Sequence, residues 1–80
     1  MKATLTKIDP LKASISNNGT FRRIYFELED GSWAHTDVVP EFRNYKRWKP
    51  IIEKGVGTEL TGIRVKFGSK VDADSPIKIL

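Results

Sequence analysis

Two glycine turns set between alternating runs constrain this chain more than any other feature. Asn18-Gly19 separates Leu11-Lys12-Ala13-Ser14-Ile15-Ser16 from Phe21-Arg22-Arg23-Ile24-Tyr25-Phe26. Asp30-Gly31 separates that second run from Trp33-Ala34-His35-Thr36-Asp37-Val38. Tight antiparallel hairpins need positive φ at the turn, and Asn, Asp and Gly tolerate it best. Period-two alternation rich in β-branched and aromatic residues reads as strand on either side. The chain is expected to be mostly β.

The turns also set registers. A two-residue loop at Asn18-Gly19 places Ile15 opposite Arg22, Ala13 opposite Ile24 and Leu11 opposite Phe26 on one face. Ser16–Phe21, Ser14–Arg23 and Lys12–Tyr25 then pair on the other. A two-residue loop at Asp30-Gly31 would put His35 and Asp37 on the apolar face, which is costly for an unpaired charge. A three-residue loop, Glu29-Asp30-Gly31, avoids this. It pairs Phe26 with Ala34 and Ile24 with Thr36 inside, and Arg23 with Asp37, Tyr25 with His35 and Glu27 with Trp33 outside. Asp9-Pro10 interrupts the first strand, which is expected to bend or bulge there.

After Pro40, Phe42, Tyr45 and Trp48 recur every three residues. A helix over Glu41–Trp48 is expected, with Pro50 ending or kinking it near Trp48-Lys49 and a separate short turn over Ile51–Lys54. Thr58–Phe67 reads as a strand in which Thr61, Ile63, Val65 and Phe67 alternate with Gly62, Arg64 and Lys66. A polar loop over Gly68–Pro76 and a short strand over Ile77–Leu80 complete the chain. The buried set is expected to include Leu11, Ala13, Ile24, Phe26, Ile63 and Val65.

Residues 1–80 make one small domain. Cysteine is absent, which excludes disulfides and thiolate metal sites. An unstapled domain of this size favours a reducing compartment, and the N-terminal MKATLTKIDP has no signal-like apolar run. Nor is there an apolar stretch long enough to span a membrane. The expected location is the cytoplasm, or the host cytoplasm for phage or plasmid cargo. A net charge of +4 suits a polyanionic partner.

The order of bent strand, strand, strand, helix, strand, strand resembles the OB-fold, a five-stranded barrel with one helix between its third and fourth strands. The likeness is one of architecture over the whole chain, without a family-specific motif. It implies one OB-like domain whose second and third strands bind oligonucleotides. An SH3-like barrel, with duplex-DNA coating as its function, is the competing architecture. It normally lacks a two-turn helix here.

On the outward face, Phe21, Arg23, Tyr25, Trp33 and His35 lie beside Lys12, Ser14 and Ser16, with Arg64 and Lys66 on the later strand. Aromatics interleaved with cations stack unpaired bases and meet phosphates. The nucleic-acid-binding set expected from sequence is Lys12, Phe21, Arg23, Tyr25, Trp33, His35, Arg64 and Lys66. The same aromatics also make ordinary cross-strand pairs, and the basic residues Arg43, Lys46, Arg47 and Lys49 read better as a solvated helix face.

Catalysis lacks its parts. His35 and Asp37 share a face, but no nucleophile motif accompanies them. Asp72-Ala73-Asp74-Ser75 lacks the glycine and distant glutamate of a calcium loop and reads as a turn. No catalytic residue, metal or cofactor is expected. The expected partner is single-stranded DNA or RNA, bound largely without sequence preference. The alternative is a protein–protein adaptor or accessory subunit, with a partner protein or a homo-oligomer covering the same aromatic face.

Overall fold

The computed structural model describes residues 1–13, 19–40 and 45–80. In chain order the elements are β1 (Ala3–Ile8), β2 (Lys12–Ala13), β3 (Thr20–Leu28), β4 (Trp33–Val38), α1 (Tyr45–Lys54), β5 (Glu59–Thr61), β6 (Val65–Lys66), β7 (Lys70–Val71) and β8 (Lys78–Ile79). They join one curled sheet in the order β6-β7-β4-β3-β1-β5-β8, with β2 beside β3. The expected mostly-β chain with one helix is present. Among the described residues eight short strands replace the expected five, because two devices cut expected strands and β7 forms within Gly68–Pro76, which was expected to be a polar loop. Pro10 cannot donate to a ladder between β1 and β2. Gly62 turns the chain between β5 and β6 with φ +84°. The Asp72–Ser75 turn separates β7 from β8. The sheet order is open at β6 and β8, although only Gly62-Ile63-Arg64 joins β5, beside β1, to β6, beside β7.

The β3–β4 hairpin follows the expected register at every pair: Arg23–Asp37, Ile24–Thr36, Tyr25–His35, Phe26–Ala34 and Glu27–Trp33. The three-residue loop is also as expected. Leu28 N–H donates to Ser32 O at 2.8 Å and Gly31 N–H to Leu28 O at 2.9 Å, with Gly31 at φ +86°. The Asp30 carboxylate accepts from the Ser32 amide at 2.9 Å, tightening the turn.

The first hairpin does not keep its expected register. Lys12 pairs with Phe21 and Ala13 with Thr20, leaving residues 14–19 between them. The expected pairings of Ser14, Ile15 and Ser16, and Asn18 itself, lie outside the described residues. The core half of β3 is taken instead by β1, through Ala3–Leu28, Leu5–Phe26 and Ile8–Ile24, with a bulge between Leu5 and Lys7. Leu11 and Ala13 are therefore exposed, not buried. The physical reason is a charge. The expected register would have carried Asp9 onto the core side opposite Leu28, at a desolvation cost of several kcal/mol. In the structure Asp9 is instead on the outer side, where its carboxylate accepts from the Tyr25 hydroxyl at 3.1 Å.

The core joins Ala3, Leu5, Ile24, Phe26, Leu28, Ala34, Val38, Leu60, Ile63 and Val71 to Trp48 and Ile51 of α1. The Trp48 indole meets the Phe26 ring with centroids 5.9 Å apart. Tyr45 packs on the same cluster, as its place in the aromatic stripe implies, while Phe42 and the expected helix start at Glu41 lie outside the described residues. Pro50 does not end the helix, which runs on to Lys54 and absorbs the separate turn expected over Ile51–Lys54. The hydrogen bond that Pro50 cannot make would have gone to Lys46 O. Both residues are exposed, and buried Trp48 and Ile51 anchor the helix on either side. Gly55, at φ +88°, closes it, its N–H donating to Ile51 O at 3.2 Å.

Ile63 is buried as expected, but Val65 is 39% exposed and Phe67 is wholly exposed. The strand stops at Lys66, and Phe67-Gly68-Ser69 form the β6–β7 turn, where pleat alternation no longer applies. Ser75 is buried and ties the following turn to the strand. Its hydroxyl accepts from Arg64 N–H at 2.9 Å and donates to Arg64 O at 3.2 Å. No described helix is long and apolar enough to cross a membrane.

Candidate nucleic-acid interface

Residues directly opposed in a ladder share a face. The registers therefore line up Lys7, Tyr25, His35, Lys70 and Lys66 in one outward row across β1, β3, β4, β7 and β6. Arg23 opposite Asp37 flanks it on one side, and Trp33 opposite Glu27 on the other. Phe21, half-buried, extends the face along β3 and pairs with exposed Lys12.

Each aromatic has a defined setting. Tyr25 is held by its bond to Asp9, and Lys7 Nζ lies 5.4 Å from its ring centroid. Lys7 also reaches Asp9 at 3.5 Å. Trp33 is 56% exposed and stacks on His35, centroids 5.7 Å apart. His35 itself is only 8% exposed, and its Nδ1 is buried with no hydrogen-bond partner. Its backbone N–H donates to Ser69 O at 2.9 Å, which anchors the β6–β7 turn beside β4.

The electrostatics follow from these contacts. Arg23 donates to both carboxylate oxygens of Asp37, at 2.8 and 3.3 Å, and this bond raises the guanidinium pKa above its usual value. Burial lowers the His35 pKa, and the Arg23 and Lys70 charges lower it further against the pull of Asp37. These effects disfavour the charged form of the His35 ring in this row. The Asp74 amide holds the Asp72 carboxyl below its usual range, helped by Lys66, whose Nζ lies 3.6 Å away.

Of the residues expected from sequence, the structure brings Tyr25, His35 and Lys66 into the row, with Arg23 and Trp33 beside it. His35 belongs to it by register but offers little surface. Lys12 and Phe21 stand toward one end. Arg64 does not join: its guanidinium donates to Asp74 O at 2.9 Å. Arg47, from the basic helix segment, donates to Ala73 O and Ser75 O and so braces the neighbouring turn. Arg43 lies outside the described residues.

The set expected from sequence left out Lys7, Lys70 and Phe67. Lys7 joins only because β1 displaces the hairpin partner. Lys70 joins through the parallel β4–β7 pair, for which the sequence carries no local signal. Phe67 was legible only as a strand residue beside Gly68. Among the described residues, no three of His, Asp and Glu gather as metal ligands. No protein-family model, curated protein or solved structure matches this chain.

Proposed function

We propose that this protein binds single-stranded nucleic acid, largely without sequence preference, on the outward face of β3, β4 and their neighbours. The observation that carries the reading is the single row Lys7–Tyr25–His35–Lys70–Lys66, flanked by Arg23 and exposed Trp33. Stacking of one base on an aromatic ring is worth about 1–3 kcal/mol and is indifferent to which base it is. Cations spaced along the row meet the backbone phosphates. Among the described residues the face sets no nucleophile beside a base, and the reading is one of binding.

The architecture supports the same reading. Grouped as β1+β2, β3, β4, β5+β6 and β7+β8, the strands resemble an OB barrel. The first broken strand is antiparallel to the fourth, and the third is parallel to the fifth. OB-folds bind oligonucleotides over the second and third strands and the loops beside them. Here those are β3 and β4, with the Phe67–Ser69 turn as one of the flanking loops.

The test is a titration of intrinsic Trp fluorescence with oligo-dT, oligo-rU and a duplex at low and high salt. Single strands are expected to quench Trp33, bind more tightly than duplex and weaken as salt rises. If single strands neither quench at low salt nor retard the protein in a gel, the nucleic-acid reading is lost and a protein partner for the same face replaces it.

A further inference from the structure

We propose that this face also pairs with itself, two copies forming a reciprocal dimer in which the β6–β7 turn of each enters an acidic cleft of the other. The inference stands on the distribution of charge and apolar surface, independently of nucleic-acid binding.

Beside the basic row runs a second outward row, Trp33–Glu27–Thr4–Glu59, fixed by the ladders of β4, β3, β1 and β5. It borders a concavity of about 350 Å³ lined by Glu27, Glu29 and Glu59 together with exposed Leu80 and the buried Leu28 and Leu60. Only Lys2 brings positive charge to that lining. Glu29 accepts from the Lys2 backbone amide at 3.1 Å, whereas Glu27 and Glu59 enter no ion pair among the described residues.

The complement lies on the same molecule. The parallel register His35–Lys70 brings the β6–β7 turn to the Trp33 end of the sheet. That turn carries Phe67, wholly exposed, between Lys66 and Lys70. Such an aromatic at a turn tip gains nothing from the fold, since burial of a phenyl ring is worth about 1.5–3 kcal/mol and Phe67 forgoes it. Lys70, like Glu27 and Glu59, enters no ion pair among the described residues.

At the level of Trp33, then, the sheet reads basic turn, Trp33, acidic cleft. A patch with opposite charges on either side of a central aromatic is self-complementary under a two-fold axis running through that aromatic. Two-fold dimers are also the commonest closed assembly. The operation lays Phe67 and its lysines over the glutamates and the exposed Leu80 of the partner, twice, with the two Trp33 side chains meeting near the axis. Exposed charge pairs of this kind are screened by salt, so the dimer is salt-sensitive. Lys66 and Lys70 then face carboxylates, and a phosphate backbone competes with the second copy for the same lysines.

Analytical ultracentrifugation of the full chain without nucleic acid tests this. A monomer–dimer equilibrium is expected at low salt, shifting to monomer at high salt. Phe67→Ala should weaken association about tenfold or more without lowering thermal stability, the side chain being fully exposed. Glu27→Lys and Lys70→Glu should each weaken it alone. Mixing the two variants should restore dimers, because one of the two reciprocal contacts then keeps its original charges and the other has both of them reversed. A protein monomeric at every concentration in low salt overturns the proposal. So does association indifferent to Phe67→Ala and the charge reversals. A ladder of species larger than dimer overturns the reciprocal arrangement. These readouts contain no oligonucleotide, so failure of the binding reading leaves them standing and the reverse.

Discussion

The Trp33 indole lies over the His35 imidazole with centroids 5.7 Å apart and planes at 28°, so an exposed ring roofs a buried one. The pair is two residues along one strand, and β4 projects both to the same side. Trp33 thereby shields a titratable group whose Nδ1 has no protein partner.

That shielding gives stability a pH dependence. Burial, Arg23 and Lys70 hold the folded pKa of His35 below its ordinary value of 6.5, against the opposing effect of Asp37. Below that ordinary value the unfolded chain binds the proton more readily than the folded one, so stability falls as pH drops from 6.5 through the lowered folded value. Urea midpoints measured for wild type and His35→Gln across that window check this. Parallel profiles for the two proteins would count against it.

Leu5 takes the place opposite Phe26 that alternation assigned to Leu11. Leu5→Ala should cost about 2–5 kcal/mol, because Leu5 is fully buried opposite Phe26. Leu11→Ala should fall within about 0.5 kcal/mol of wild type. Chemical denaturation of both variants decides the matter, and a larger loss at Leu11 would restore the displaced hairpin register.

Gly62 permits both a positive φ and a close approach. A Cβ there would sit 2.1 Å from Pro76 O, with φ at +84°. Gly62→Ala should therefore destabilise by more than about 3 kcal/mol, strain and clash combined. Gly57, at φ +99°, has open space around it. Gly57→Ala should cost only the backbone strain, about 1–3 kcal/mol. Equal losses at the two positions would mean that the Pro76 contact does not exist.

Binding should separate stacking from charge. Trp33→Ala is expected to weaken oligo-dT binding roughly tenfold to a hundredfold with the melting temperature little changed. Lys70→Ala should lower affinity and also flatten its dependence on salt, one phosphate contact fewer. Titration of each variant at several salt concentrations reads both. An unchanged salt slope for Lys70→Ala would remove that lysine from the phosphate path.

What the sequence determined by itself was local. Asp30-Gly31, with alternation on both sides and the cost of burying Asp37, sufficed to set the β3–β4 register, the three-residue loop and the outward placement of Arg23, Tyr25 and Trp33. The Phe42-Tyr45-Trp48 spacing led to a helix expected over Glu41–Trp48, of which Tyr45–Trp48 is helical, Glu41–Asn44 lie outside the described residues, and Trp48 is core. Each of these rests on neighbours a few residues apart, where pleat, turn chemistry and helix period act directly. Tertiary structure alone decided which upstream segment covers Phe26, because β1 and the Leu11–Ala13 run offer similar alternation and only Asp9 distinguishes them. It carried α1 through Pro50, since burial of Trp48 and Ile51 outweighs one missing hydrogen bond on the exposed side of the helix. It also placed Lys70 beside His35 through a parallel pair with a long sequence separation, completing the candidate face. Contacts across such separations depend on what the rest of the chain buries, and no period or turn within either strand encodes them.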